Sequence, residues 1–206
     1  MKIKRVFTLF LLAGLLACNS NDDNHIQLID ITGINKNIIL DIKYATKDNF
    51  LKEAVYPQAR CYLVEEVALK IDSIQSELEC QGLGLKIFDG YRPFSVTKKM
   101  WEILPDDRYV ANPKNGSRHN RGAAVDLTLV DSAGTELEMP TKFDDFTEKA
   151  AHAYEDLPEQ VIKNRRRLKD IMEKYGFSAI KSEWWHYDLR NYQKYPILDI
   201  SIDEIQ

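Results

Sequence analysis

Cysteine, histidine and long apolar runs are all scarce in this chain. Of its 206 residues, three are cysteine and four are histidine. Cys18 falls in the N-terminal leader, leaving Cys61 and Cys80. That count excludes a cysteine-based structural zinc site, and the remaining pair either forms one disulfide or stays as two thiols. No apolar stretch reaches the roughly 20 residues that a membrane-spanning helix needs; the longest, Val6 to Leu16, is about half that. Positive charge is not in excess either, because 28 Lys+Arg face 32 Asp+Glu for a net charge of −4. Such a balance makes nucleic acid a poor partner. No internal repeat, low-complexity tract or Pro/Gly linker divides residues 27–206, so a single domain is expected there.

What is present begins with a leader. Lys2, Lys4 and Arg5 precede the apolar run, and Leu15-Leu16-Ala17-Cys18 closes it. This is the layout of an export signal spanning residues 1–17. Small Ala17 before Cys18 resembles the bacterial lipobox, whose cysteine receives a diacylglycerol and becomes the first mature residue; an ordinary signal peptide cut nearby is the alternative. Two acyl chains satisfy the two-signal requirement for stable membrane anchoring. On the lipobox reading residues 18–26 are expected to form a lipidated N-terminus and polar tether that includes His25, making the protein an exported lipoprotein of the bacterial envelope. Without residues 1–17, 25 basic residues face the same 32 acidic ones. The mature charge is therefore about −7.

Periodicity along residues 27–206 predicts strands at 37–45, 84–89, 123–130 and 183–189. Apolar residues at three- and four-residue spacing predict a helix over 63–78 that Gly82 can end. A second helix is expected over 94–103 and a third over 158–175, with Pro158 in the first position and Gly176 at the C-terminal cap. Strands separated by unequal helices and loops, without regular βαβ alternation, give the α+β class.

Two segments carry residues suited to chemistry. In Ser117-Arg118-His119-Asn120-Arg121-Gly122-Ala123-Ala124-Val125-Asp126, a strand from Ala123 places Asp126 on the face opposite Val125 and Leu127. Taken alone, the pair is as compatible with a loop histidine and a sheet aspartate as with a metal site. In Glu183-Trp184-Trp185-His186-Tyr187-Asp188, an ideal strand puts Trp184, His186 and Asp188 on one face and Glu183 on the other. Glu183 and His186 can share a site only if Glu183 lies just before the regular pleat, on a turn or bulge. Together the segments offer His119, Asp126 and His186 as three ligands of a catalytic zinc, with Glu183 as a non-ligand carboxylate to accept a proton. Two histidines and a carboxylate also suit non-haem iron, but the compact His-x-Asp pair is absent. Arg92, in Asp89-Gly90-Tyr91-Arg92-Pro93, supplies a guanidinium for a developing oxyanion or is a surface turn arginine.

These residues resemble those of the zinc D-alanyl-D-alanine dipeptidases, over about residues 38 to 192. The likeness runs through DIKYATKDNF (41–50), GLGLKIFDGYRP (82–93), SRHNRGAAVDLTL (117–129), FDDF (143–146), NRRRLKDIMEKYGF (164–177) and EWWHYDL (183–189). The resemblance implies one zinc on His119, Asp126 and His186, Glu183 as catalytic base, and Arg92 as transition-state stabiliser. It also implies that Tyr44, Ser117 and Asp144 hold a small D-amino-acid dipeptide, with neighbouring Asp145 an alternative to Asp144 for the substrate ammonium. Met139-Pro140 stands where Met-Gly is expected, which bears on substrate range. The implied fold is a small, mainly antiparallel central sheet flanked by helices, as in the D-alanyl-D-alanine carboxypeptidase and hedgehog-like group. A carboxypeptidase or endopeptidase acting on peptidoglycan stems, and a noncatalytic wall-binding lipoprotein, are the alternatives. No obligate protein partner is evident.

Overall fold

The computed structural model describes residues 26–205. The leader, Cys18 and His25 lie outside the described residues. The chain opens with strand β1 (Leu28–Asp30), a short helix α1 (Ile31–Ile34) and strand β2 (Ile39–Leu40). Strand β3 (Tyr62–Val64) leads into helix α2 (Glu65–Glu79), then strand β4 (Leu83–Asp89) and helix α3 (Phe94–Ile103). Strand β5 (Ala124–Asp131), helix α4 (Glu159–Lys174) and strands β6 (Phe177–Ala179) and β7 (His186–Leu189) follow. The main sheet runs β2-β4-β5-β7-β6, and β1 pairs with β3 in a separate two-stranded sheet. Only β2 against β4 is parallel; the other pairings are antiparallel. This is the expected α+β architecture.

The two faces of the sheet differ for a simple reason. Residues directly paired across an antiparallel ladder project to the same side. Asp126 is paired with His186 on β7 and, after a register shift at Ile87/Asp89, with Asp89 on β4, so three polar side chains stand abreast on one face. Val125 is paired with Tyr187 on the other. Helix α2 packs against β4 through fully buried Val67, Ile71, Ile74 and Leu78, and α4 packs on β5 and β6 through Leu168 and Met172. Each such side chain contributes about 1.5–3 kcal/mol by leaving water. Lys174 Nζ to Glu77 at 2.6 Å ties the two helices together.

The structure moves several predicted boundaries. The segment 37–45 is a strand only at Ile39–Leu40; a 3-10 turn at Lys43–Ala45 follows, and buried Tyr44 sits on it. Helix α2 begins at Glu65, because Leu63 belongs to β3. Pro158 is the N-cap of α4, not its first helical residue. The strand expected over 183–189 starts at His186, and buried Trp184 and Trp185 lie in the irregular segment before it. Cys61 is buried and Cys80 exposed, and both are free thiols.

Candidate active site

The loop after β4 and the turn before β5 are built as one unit. Arg92 N–H donates to the carbonyl of His119 at 3.1 Å, and Asn120 Nδ2 donates to the carbonyl of Arg92 at 2.8 Å. His119 sits in a 3-10 turn that ends at Gly122, whose φ of 62° is the left-handed region that glycine enters without strain. Gly90 is required by close approach: a Cβ there would lie 2.6 Å from Cys61 Sγ and 2.9 Å from the Tyr62 carbonyl. Its own carbonyl accepts a hydrogen bond from His119 Nδ1 at 2.8 Å.

That bond fixes the chemistry of His119. A carbonyl only accepts, so Nδ1 carries the proton and Nε2 offers a lone pair. His186 is arranged the opposite way round, with Nε2 on Asp188 Oδ1 at 2.9 Å and Nδ1 facing inward. His119 Nε2 and His186 Nδ1 are 3.2 Å apart, His119 Nε2 lies 3.4 Å from Asp126 Oδ2, and His186 Nδ1 lies 2.9 Å from Asp126 Oδ1. All three residues are buried, and each offers one ligand atom within 4.8 Å of the others. A tetrahedral ion with bonds of about 2.0–2.1 Å holds its ligand atoms about 3.3 Å apart. The donor set and its spacing therefore fit a divalent cation.

The electrostatics agree with that fit. Burial works against a charged His186, but the carboxylates of Asp126 and Asp188 hold its pKa up at about 10. Burial likewise opposes an ionised Asp126, and the two histidines override it and keep that pKa low. The pocket favours a negative aspartate facing positive charge. In the protein without metal, a proton supplies the positive charge; a bound cation displaces that proton.

Around the three residues lies a cleft of about 430 Å³ whose lining includes Tyr44, Arg92, Ser117, Asp144, Glu183 and Arg118. Glu183 precedes the first residue of β7 by three positions, so the geometric demand made of it is met. Burial pushes its pKa up, partly offset by His186. Arg92 is buried, with Nη2 donating to Asp89 Oδ2 at 2.6 Å and Nε to Tyr56 OH at 3.3 Å, and its guanidinium lies 5.0 Å from the centre of the Tyr44 ring. Burial disfavours the cation, and Asp89 outweighs it. Arg92 is thus no surface turn arginine.

Tyr44 OH donates to Asp144 Oδ2 at 3.0 Å. Burial raises the Asp144 pKa well above the carboxylate range, and the charge of Asp126 adds to it. Asp144 has a φ of 59°, which an aspartate tolerates, and it lines the cleft. Asp145 does not line that cleft; its Oδ1 accepts the N–H of Thr147 at 3.0 Å. Of the two neighbours, only Asp144 is placed to meet a ligand there.

Two further carboxylates belong to the site and were not singled out by sequence. Asp89 holds Arg92, and Asp188 holds His186. The signals were present: an aspartate three residues before Arg92, and one two residues after His186 on the same strand face. The fourth histidine, His152, lies apart. Its main-chain N–H bonds the carbonyl of Lys181 at 3.1 Å, and its ring meets Tyr187 edge-on. Burial, helped by Lys169 and Arg165, lowers its pKa to about 4. An unfolded chain protonates this ring near the ordinary imidazole value of 6.5, so it binds the extra proton between those values and stability falls as pH drops from 6.5 towards 4. His152→Gln should flatten that part of a melting-temperature profile; an unchanged slope would remove His152 as its source.

The sequence profile of a family described as D-Ala-D-Ala dipeptidase matches residues 24–201. A D-alanyl-D-alanine dipeptidase of Escherichia coli is 39% identical over 173 residues, covering 84% of this chain and 89% of the relative. One from Enterococcus faecium is 35% identical over 180 residues, covering 76% and 87%. One from Enterococcus faecalis is 34% identical over 170 residues, covering 72% and 84%. With a family match over nearly the whole chain and relatives above 30% identity, this chain belongs to the D-Ala-D-Ala dipeptidase family of peptidases.

Proposed function

We propose that this chain is a zinc dipeptidase that hydrolyses D-alanyl-D-alanine to two D-alanines. The carrying observation is one cleft that joins the His119, Asp126 and His186 cluster to Glu183, Arg92 and the Tyr44–Asp144 pair, in a chain of this family. Zinc held by the three residues would lower the pKa of water from 15.7 to about 7 and polarise the scissile carbonyl.

The chain's own groups supply the rest. Glu183 accepts the proton of the attacking water and passes it to the leaving amine, a role suited by a carboxylate whose pKa burial has raised. Arg92, held by Asp89 and Tyr56, presents a fixed cation to the oxygen that gains charge. Asp144, oriented by Tyr44, receives the free ammonium, whose charge favours the ionised carboxylate that burial alone disfavours, and Ser117 helps position the dipeptide. Fixing both ends of a short substrate converts binding into alignment of the reacting carbonyl.

Hydrolysis of dipeptide, tripeptide and pentapeptide substrates, with metal content measured on the same sample, tests this reading. Turnover confined to the dipeptide by protein carrying one zinc per chain is expected. Equal or better turnover of the longer peptides would instead make the protein a carboxypeptidase of the same metal class. Absence of both zinc and turnover would favour a wall-binding lipoprotein.

The leader completes the proposal. Residues 1–17 act as an export signal, Cys18 carries the lipid and residues 18–26 form a tether to the catalytic domain. No helix among the described residues is long and apolar enough to cross a membrane. Anchored outside the cytoplasmic membrane, the enzyme would serve wall turnover or D-alanine scavenging, because it would not meet the cytosolic dipeptide pool.

A further inference from the structure

We infer that Arg118 is the specificity residue that takes the free carboxylate of the dipeptide; this rests on the dipeptidase reading above. A dipeptide carries an ammonium at one end and a carboxylate at the other. Asp144 answers the first. The second must enter a cleft whose walls also carry Asp107, Asp126 and Glu183, so it needs a cation of its own.

Four arginines line the cleft: Arg92, Arg108, Arg118 and Arg121. Three are committed elsewhere. Arg92 is buried on Asp89, and its place in the proposed reaction is at the carbonyl. Arg108 closes on Asp106 through Nε and Nη2. Arg121 Nη1 donates to the main-chain carbonyl of Tyr195.

Arg118 differs. Its one ion pair among the described residues runs from Nε to Asp188 Oδ2 at 3.3 Å. Its guanidinium lies 5.4 Å from the centre of the Tyr192 ring, over which it stacks. These partners orient the group without using all its donors, leaving a fork that matches a carboxylate. The side chain is 44% exposed, so a ligand reaches it without opening the fold. It also sits between Ser117 and His119 in the chain. A carboxylate held there is therefore indexed to the same turn that positions the metal cluster.

Asp188 offers a competing role, since its other oxygen holds His186. Arg118 could then act only by steadying Asp188. The two roles separate when kcat and KM are measured for D-alanyl-D-alanine and for its C-terminal amide, in the full-length wild type, Arg118→Ala and Arg118→Lys, with metal content and melting temperature as controls.

Carboxylate recognition predicts that the wild type prefers the acid by about 10- to 100-fold in kcat/KM, the range of a charged hydrogen-bonded contact. Arg118→Ala should lose that preference, with the loss carried by KM on the acid and a far smaller change on the amide. Arg118→Lys should fall between, having charge without the fork. An equal loss on acid and amide would overturn the proposal in favour of the Asp188 route, as would an acid preference that survives in Arg118→Ala. A wild type that cleaves neither compound would remove the dipeptidase reading and this one with it. Should Arg118→Ala fail to fold, Arg118→Gln carries the same comparison.

Discussion

Glu183→Gln is expected to lower kcat/KM by about 100- to 10,000-fold, the usual contribution of a positioned general base. The substitution keeps the shape of the side chain and removes its ability to accept a proton. Glu183 lines the cleft but is not one of the three clustered residues that can hold the ion. The variant should therefore retain one metal per chain by elemental analysis, and its melting temperature should still rise when zinc is restored to chelated protein. The wild type treated with the same chelator should lose activity and regain it with zinc. An active, zinc-loaded Glu183→Gln would end the assignment of Glu183 as base.

Asp89→Ala should be the most destabilising single change in the site, at about 3–5 kcal/mol in denaturant unfolding, because it leaves the buried Arg92 charge without its partner. Asp89 has no exposure at all and accepts hydrogen bonds from Arg92 Nη2, Tyr56 OH and its neighbour Gly90 N–H, the last two at 2.7 and 2.9 Å. Adding Arg92→Met removes the stranded cation, and the double variant should recover part of the loss while remaining inactive. If Asp89→Ala alone costs less than about 1 kcal/mol, the pair is not what keeps the guanidinium charged inside the protein.

Much of this arrangement is legible in the sequence, for identifiable reasons. Helix α2 and helix α4 declare themselves by apolar spacing, and β4 and β5 by their apolar strand segments. Strands β1, β3 and β6 do not, because three residues carry no periodicity. The same limit hid the end of β2, where the chain leaves the ladder for the turn bearing Tyr44. Within the site, chemistry-bearing residue types and their spacing picked out the clustered His119, Asp126 and His186 and placed Glu183 nearby. The partners behind them were harder to see. Asp89 and Asp188 acquire meaning only from register: β4, β5 and β7 must align before either carboxylate faces its target. Nor does residue type announce that Asp144 lines the cleft while Asp145 turns to cap Thr147.

The order of strands has a consequence for when the metal can arrive. His119 and Asp126 are made early, but β7, which supplies His186, inserts between β5 and β6 as the last strand of the sheet. The three-residue cluster is therefore complete only once β7 has docked against β5, whichever end of the chain folds first. A cation would then meet its full donor set only in molecules whose central strands have reached their final alignment.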